Sequence, residues 1–136
     1  MIEITEKTIS PELVVNRVKT DDSGCVVTYV GLIRRFSRGK PVVSVEYQDH
    51  EGRAEARLQK MASEIEQKWQ VNNIAICHRI GKLNVGDINL VIAIAATHRQ
   101  EGFSACQHAV DLFKEIMPAR KKETYEDGSI WTEGEG

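Results

Sequence analysis

The sequence predicts an α+β fold, a mainly antiparallel mixed sheet with two long helices. Three observations carry this. β-branched and apolar runs recur at Cys25 to Ile33, Val42 to Tyr47, Ile74 to Ile80 and Ile88 to Ala96, a strand signal. Two longer stretches place apolar residues at steps of three and four, the period of a helix with one buried face. The elements follow the order β, α, β, β, α, β, β, α, β, in which hairpins mix with helical connections. The 136 residues suit one domain, 1–136, around one core.

Ile2 to Thr5 reads as a short edge strand. Ser10 is placed to cap a first helix with Pro11 at its first position, and Val14, Val15 and Val18 share its inner face. Asp21-Asp22-Ser23-Gly24 is turn chemistry. The strand Cys25 to Ile33 runs into the loop Ser37-Arg38-Gly39-Lys40, and Val42 to Tyr47 returns. Gly52 to Trp69 is the clearest helix, with Ala54, Leu58, Met61, Ala62, Ile65 and Trp69 on one face. After the strand Ile74 to Ile80, turns at Gly81-Lys82 and Val85-Gly86-Asp87 flank a short segment. Ile88 to Ala96 is apolar on both faces and reads as a central strand. Thr97 with Gln100 resembles a capping box. The helix behind it runs to about Met117, with Phe103, Cys106, Val110, Phe113 and Met117 as its core stripe, and Pro118 stops it. Ala119 to Gly136 is a polar tail with a hairpin turn at Asp127-Gly128 before Ile130-Trp131.

Composition excludes several classes. Hydrophobic residues make up 41% and charged residues 28%, which marks a globular chain. A net charge of −2 and 6% aromatics argue against a nucleic-acid-binding protein. Cys25, Cys77 and Cys106 are far apart and form no CxxC pair, so they read as reduced core thiols. The start MIEITEKTIS lacks the features of a signal peptide, and the longest apolar run, Leu90 to Ala96, is too short to span a bilayer. A cytoplasmic protein with no membrane contact is the expectation.

The sequence contains no GxSxG elbow, no HExxH and no phosphate-cradling glycine loop. His50, His78, His98 and His108 show no metal-site spacing, so neither a metal nor another cofactor is expected. The cations are more informative. Arg34 sits where a buried strand enters a loop that also holds Arg35, Arg38 and Lys40. Spacing alone favours a solvated basic hairpin tip; an anion-binding loop is the functional alternative. His98 and Arg99 stand where the central strand meets a helix N-terminus, a place that attracts anions. An exposed capping segment is the competing reading there. Lys114, in the last turns of the final helix, complements the helix dipole. Lys121 and Lys122 follow Pro118 within Arg120-Lys121-Lys122, which a solvated tail also explains. Convergence of Lys114, Lys121, Arg34 and Arg99 would favour proton transfer by a lysine, but spacing alone does not establish it.

Several blocks, in order, resemble the molybdopterin synthase large-subunit family, MoaE. Gly24 to Arg34 is similar to its first signature, a glycine-started strand ending in Gly-x-Val-Arg. Glu46-Tyr47, followed by the helix with Ala54 and Leu58, fits the next block. Cys77 to Asp87 resembles the family's HRxGxLxxGE/D segment. Thr97-His98-Arg99, Phe103, Ala105, Asp111 and Lys114 match a fourth block; Pro118, Lys121, Lys122, Glu123, Gly128 and Trp131 match the closing one. The resemblance implies an α/β-hammerhead-like fold and a sulfurtransferase. Its sulfur comes from the C-terminal Gly-Gly thiocarboxylate of a small ubiquitin-like subunit. Its acceptor is cyclic pyranopterin monophosphate, which gains the dithiolene of molybdopterin.

By position, Lys114 and Lys121 resemble the catalytic lysines, while Arg34, His98 and Arg99 resemble substrate-holding residues. The resemblance further implies a homodimer within a heterotetramer, and thiols that do not carry sulfur. Ala119-Arg120 departs from the family's bulky Ile/Phe-Trp pair beside Lys121. Lys122 therefore joins the substrate-binding set and stands as a substitute for Lys121. Gly102 replaces the family's Ala, and His50 and Arg53 replace Tyr and Met. The closing Gly134-Glu135-Gly136 is not Gly-Gly, so this chain is not expected to be the sulfur donor. The alternative reading is a catalytically impaired paralogue that still binds the ubiquitin-like subunit.

Overall fold

The computed structural model describes residues 1–133; Gly134-Glu135-Gly136, on which the sulfur-donor expectation rests, lies outside them. The order is β1 (Ile2–Thr5), α1 (Pro11–Val18), β2 (Cys25–Leu32), β3 (Phe36–Ser37), β4 (Lys40–Gln48) and α2 (Ala54–Lys68). It continues with β5 (Asn73–Arg79), β6 (Gly81–Asn84), β7 (Ile88–Ala96), α3 (Arg99–Ile116), β8 (Arg120–Tyr125) and β9 (Ile130–Glu133). The α+β class with mainly antiparallel pairing holds, but the strands divide into two sheets. The first has the order β1-β5-β7-β2, with only β1 and β5 parallel. The second has the order β3-β4-β8-β9, and β6 also pairs with β4.

β7 is the central strand that its two-sided apolarity predicts. Val91 to Ala96 are fully buried. Ile92 and Ile94 face Leu58, Met61 and Ile65 of α2 and Ala105, Ala109 and Phe113 of α3. Val91, Ala93 and Ala95 face the other way, onto Val14 and Val18 of α1. Alternation along one strand thus serves two apolar layers. A third cluster, with Ile33, Val45, Tyr47, Leu83, Ala119 and Tyr125, fills the second sheet's inner face.

Three expectations need correction. Phe103 is 61% exposed, and the buried stripe of α3 is Gly102, Ala105, Cys106, Ala109 and Phe113. The helix start lies so close to the first sheet that a Cβ on Gly102 would come within 3.1 Å of Val27 Cγ2, so small residues occupy that stretch, while Cys106 and Phe113 are buried as the spacing predicts. Thr97 does not cap α3. His98 holds the N-cap position without a side-chain bond, while Thr97 Oγ1 donates to the Asp22 carbonyl at 3.3 Å and accepts from Asn72 Nδ2. Within the polar tail, Arg120–Tyr125 and Ile130–Glu133 are strands of the second sheet, with Val45 opposite Glu123 and Tyr47 opposite Lys121. Ser10 does cap α1, accepting from the Leu13 N–H, and Asp127-Gly128 does turn β8 into β9.

Candidate active site

Antiparallel pairing brings the end of β2, the end of β5 and the start of β7 together at one end of the first sheet. The C-terminal part of α3 reaches the same end, and β4 and β8 of the second sheet complete the wall. Between them lies a cavity of about 500 Å³. Arg34, Lys114 and Lys121 line it, together with Glu123 and Glu133. Tyr47, His78, Asn89 and Phe113 line it from the buried side. Arg34 and Lys114 are exposed, whereas Tyr47 and His78 are buried. The cations therefore stand at the mouth and a neutral polar group lies deeper.

Lys121 is held by its neighbours. Its Nζ lies 3.5 Å from Glu123 Oε2. Glu123 Oε1 accepts from Ser37 Oγ at 2.9 Å and from the Tyr125 hydroxyl at 2.7 Å. Burial alone would raise the Glu123 pKa; the hydrogen bonds from Tyr125 and Ser37 and the charge of Lys121 outweigh it and hold the carboxyl below its ordinary value of 4.5. Glu123 is thus a buried, satisfied anion that fixes one lysine. Among the described residues, neither Arg34 nor Lys114 has a carboxylate within 4.0 Å. An anion entering the cavity meets two cations that are not already matched.

The deeper side is neutral. His78 is 1% exposed, and burial lowers its pKa despite the bond to the Asn89 backbone. That bond, His78 Nδ1–H to Asn89 O at 2.8 Å, fixes the tautomer and leaves Nε2 as the acceptor. The His78 ring packs edge-on against Tyr47 at 4.8 Å and Phe113 at 5.1 Å.

The remaining candidates lie elsewhere. His98 and Arg99 are exposed at the start of α3, beyond the far end of β7. They are roughly 20–25 Å from the cavity, both along β7 from Leu90 at ~3.3 Å per strand residue and along α3 to Lys114 at ~1.5 Å per helical residue. Lys122 points to the opposite face of β8 from Lys121, as strand alternation requires, and its Nζ lies 3.7 Å from Glu46 Oε1. Ala119 is 2% exposed and packs in the third cluster, so Lys121 lines the cavity without the bulky pair. The basic loop disperses: Arg38 covers the Trp131 ring at 3.9 Å, Arg35 lies 5.6 Å from the Phe36 ring, and Lys40 pairs with Asp127 at 3.1 Å. Only Arg34 of that run lines the cavity.

Sequence reasoning assigned no role to Glu123, Tyr47, His78 or Asn89. A carboxylate two residues after Lys121 on a strand shares its face, a signal available for Glu123. His78 and Asn89 are hydrophilic residues within apolar strands, the informative kind of exception.

The thiols are sheltered. Burial pushes Cys77 up to about 11 and raises Cys106. Cys25 is half-buried, with Sγ 3.7 Å from the Ala96 carbonyl. Among the described residues no group of three or more His, Cys, Asp or Glu could hold a metal ion, and no helix is long and apolar enough to cross a membrane.

A family model described as MoaE protein matches residues 4–116. The chain is 37% identical over 129 residues to the molybdopterin synthase catalytic subunit of Bacillus subtilis (strain 168), covering 95% of this chain and 82% of that protein. Among solved structures, it is similar to molybdopterin synthase from Staphylococcus aureus, with a TM-score of 0.89, 32% identity and coverage of 98% and 96% of the two chains. It also shares the fold of a chain in the complex of subunits 1 and 2 of molybdopterin-converting factor from Helicobacter pylori 26695, with a TM-score of 0.70, 13% identity and coverage of 93% and 86%.

Proposed function

The chain belongs to the MoaE protein family, and on that premise we propose that it is the catalytic subunit of a cytoplasmic molybdopterin synthase. It transfers sulfur from the C-terminal Gly-Gly thiocarboxylate of a small ubiquitin-like subunit to cyclic pyranopterin monophosphate, and two transfers build the dithiolene. The observation that carries this reading is the cavity where Arg34, Lys114 and Lys121 meet. The substrate and the thiocarboxylate are both anionic. The thiocarboxylate sulfur forms a bond to a pterin side-chain carbon as that carbon's bond to oxygen breaks and the oxygen leaves protonated; water then cleaves the acyl–sulfur bond, leaving a carboxylate on the small subunit and a thiol on the pterin. Negative charge develops at the acyl carbon and beside the pterin, where fixed cations stabilise it. Lys114 and Lys121 serve as the proton donors and acceptors in the addition and loss of water. Arg34 holds the phosphate or the carboxylate. The chemistry requires no metal or redox cofactor.

His98 and Arg99 enter this reading through a second copy of the chain. They lie too far from their own cavity to touch its ligand. β2 pairs with β7 on one edge only, and its free edge runs from the His98 end of the sheet to the cavity end. Two β2 edges laid antiparallel across a two-fold axis would carry His98 and Arg99 of each copy toward Arg34 of the other. This supports a homodimer, with a small subunit on each copy.

The test is single-turnover conversion. The full chain is mixed with a thiocarboxylated small subunit and cyclic pyranopterin monophosphate, and the dithiolene pterin is measured as its fluorescent oxidation product. Product that depends on the chain is expected. No product, with the small subunit bound, would refute the synthase and leave the impaired paralogue.

A further inference from the structure

The deep side of the cavity holds a hydroxyl that the cationic mechanism does not use, on a ring that the fold does: Tyr47 belongs to the third core cluster. Tyr47 stands on β4 directly opposite Lys121 of β8, so their side chains are neighbours on one face of the second sheet. Its hydroxyl oxygen accepts a hydrogen bond from Asn89 Nδ2 at 2.8 Å. Among the described residues the hydroxyl's own proton has no acceptor. Asn89 Oδ1 is likewise buried without a partner, so the Tyr47–Asn89 pair keeps one donor and one acceptor unused, and its neighbours pack it closely. His78 packs edge-on against the ring, 75° from its plane. The Asn89 backbone carbonyl holds His78 while its side chain holds Tyr47. Gly31 closes over the amide: a Cβ there would lie 2.6 Å from Asn89 Oδ1.

We propose that the Tyr47 hydroxyl is a substrate-binding donor of this cavity, reading a neutral hydrogen-bond acceptor on the ligand's heterocycle, with Asn89 as its positioning residue. The acceptor is a ring carbonyl oxygen or an unprotonated ring nitrogen. The identity of the heterocycle rests on the pterin reading above; the geometry adds which part of it lies deepest.

Charge decides the orientation. Arg34 and Lys114, unmatched and exposed, take the anionic end at the mouth. Glu123 and Glu133 face Tyr47 closely enough to oppose its ionisation, which makes the same spot unfavourable for a phosphate. Burial is the largest influence on the phenol and also keeps it protonated, hence a donor. A preorganised donor without a partner is where a ligand gains specificity, since an analogue lacking the acceptor leaves it unpaired.

The experiment is titration calorimetry of the full chain with cyclic pyranopterin monophosphate and, separately, with inorganic phosphate. Tyr47→Phe keeps the ring and removes only the hydroxyl. Pterin phosphate affinity is expected to fall about tenfold, the loss of one hydrogen bond, while phosphate affinity stays unchanged. In the assembled enzyme KM rises and kcat holds. Asn89→Ala should weaken pterin phosphate binding similarly, and the double variant should bind no more weakly than Tyr47→Phe, because Asn89 acts through the hydroxyl. Thermal unfolding confirms that each variant folds; should Tyr47→Phe fail to fold, Asn89→Ala carries the comparison. Wild-type pterin affinity in folded Tyr47→Phe, or an equal loss of phosphate binding, would overturn the proposal alone. No pterin phosphate binding by the wild-type chain would overturn the synthase reading with it.

Discussion

Two inactive variants of this chain should restore activity when they share a dimer. The candidate cations are split between the cavity, with Arg34, Lys114 and Lys121, and the start of α3, with His98 and Arg99. The gap of roughly 20–25 Å along β7 and α3 exceeds the reach of any side chain. If both groups act on one substrate, each site takes its lysines from one copy and its His98 from another. Lys114→Ala alone and His98→Ala alone should each be strongly impaired. Co-expressed in equal amounts, about half of the dimers are mixed. Each mixed dimer has one complete site and one site lacking both groups, so activity should recover to about one quarter of wild type. The assay is dithiolene pterin formation by the co-purified variants, with differently tagged chains to isolate mixed dimers; these should reach about half of wild type. Full activity of His98→Ala would remove that residue from the site. Impaired single variants whose isolated mixed dimers show no recovery would refute the shared site.

Three further outcomes follow from the geometry. Glu123→Gln removes a buried anion held by Ser37, Tyr125 and Lys121; it should cost about 1–3 kcal/mol at neutral pH. Because the folded pKa of Glu123 is depressed, its contribution is present above 4.5 and is lost as pH falls through the lowered value; urea titrations should show a shallower acid loss in the variant. His78 is neutral in the fold and its folded pKa is lowered, so stability should decline as pH falls below 6.5; in His78→Phe, urea titrations between pH 7 and pH 5 should show that component gone. Gly24→Ala places a Cβ 2.3 Å from the Thr97 carbonyl oxygen, and denaturant unfolding should show a loss of about 1–3 kcal/mol, with β7 and the start of α3 pushed apart from β2.

The strands and helices were legible wherever a bulky apolar period carried them. β7 was read as central because both of its faces are apolar, and α2 because Leu58, Met61 and Ile65 repeat at helical steps. The face of α3 is legible in part: Cys106 and Phe113 are buried and Val110 packs on the core as the spacing predicts, whereas Phe103 is exposed, for a physical reason. Close approach to a sheet selects Gly102, Ala105 and Ala109, and a period written in small residues is invisible to a search for large ones. β8 was missed because Arg120-Lys121-Lys122-Glu123 has no apolar alternation. Its buried face is instead built from a satisfied carboxylate and the Tyr125 ring. The same cause hid part of the site. Lys121 stood out as a cation, but its fixing anion reads as one more surface charge until Ser37, from a distant hairpin, is seen to donate to it. Resemblance brought Arg34, Lys114 and Lys121 forward together; distance along the sheet, which separates His98 and Arg99 from them, is absent from any one-dimensional reading.

The choice between Lys121 and Lys122 shows how strictly register governs the site. Strand alternation puts Lys121, Glu123 and Tyr125 on one face and Lys122 and Thr124 on the other. Pairing of Val45 with Glu123 and Tyr47 with Lys121 then sets the inward face of β4 against the inward face of β8. Val45 and Tyr47 are both buried, so a slip by one residue would set Lys122 opposite Val45 or Tyr47 and turn Glu123 outward. That slip would place a lysine in the cavity without its carboxylate and leave Ser37 and the Tyr125 hydroxyl without their shared acceptor. Both losses oppose it, in addition to the exposure of apolar surface. Lys122 is therefore no substitute for Lys121 in this fold. Its ammonium is committed to Glu46 on the outer face, and variants of Lys122 should leave turnover unchanged under conditions where Lys121→Ala abolishes it.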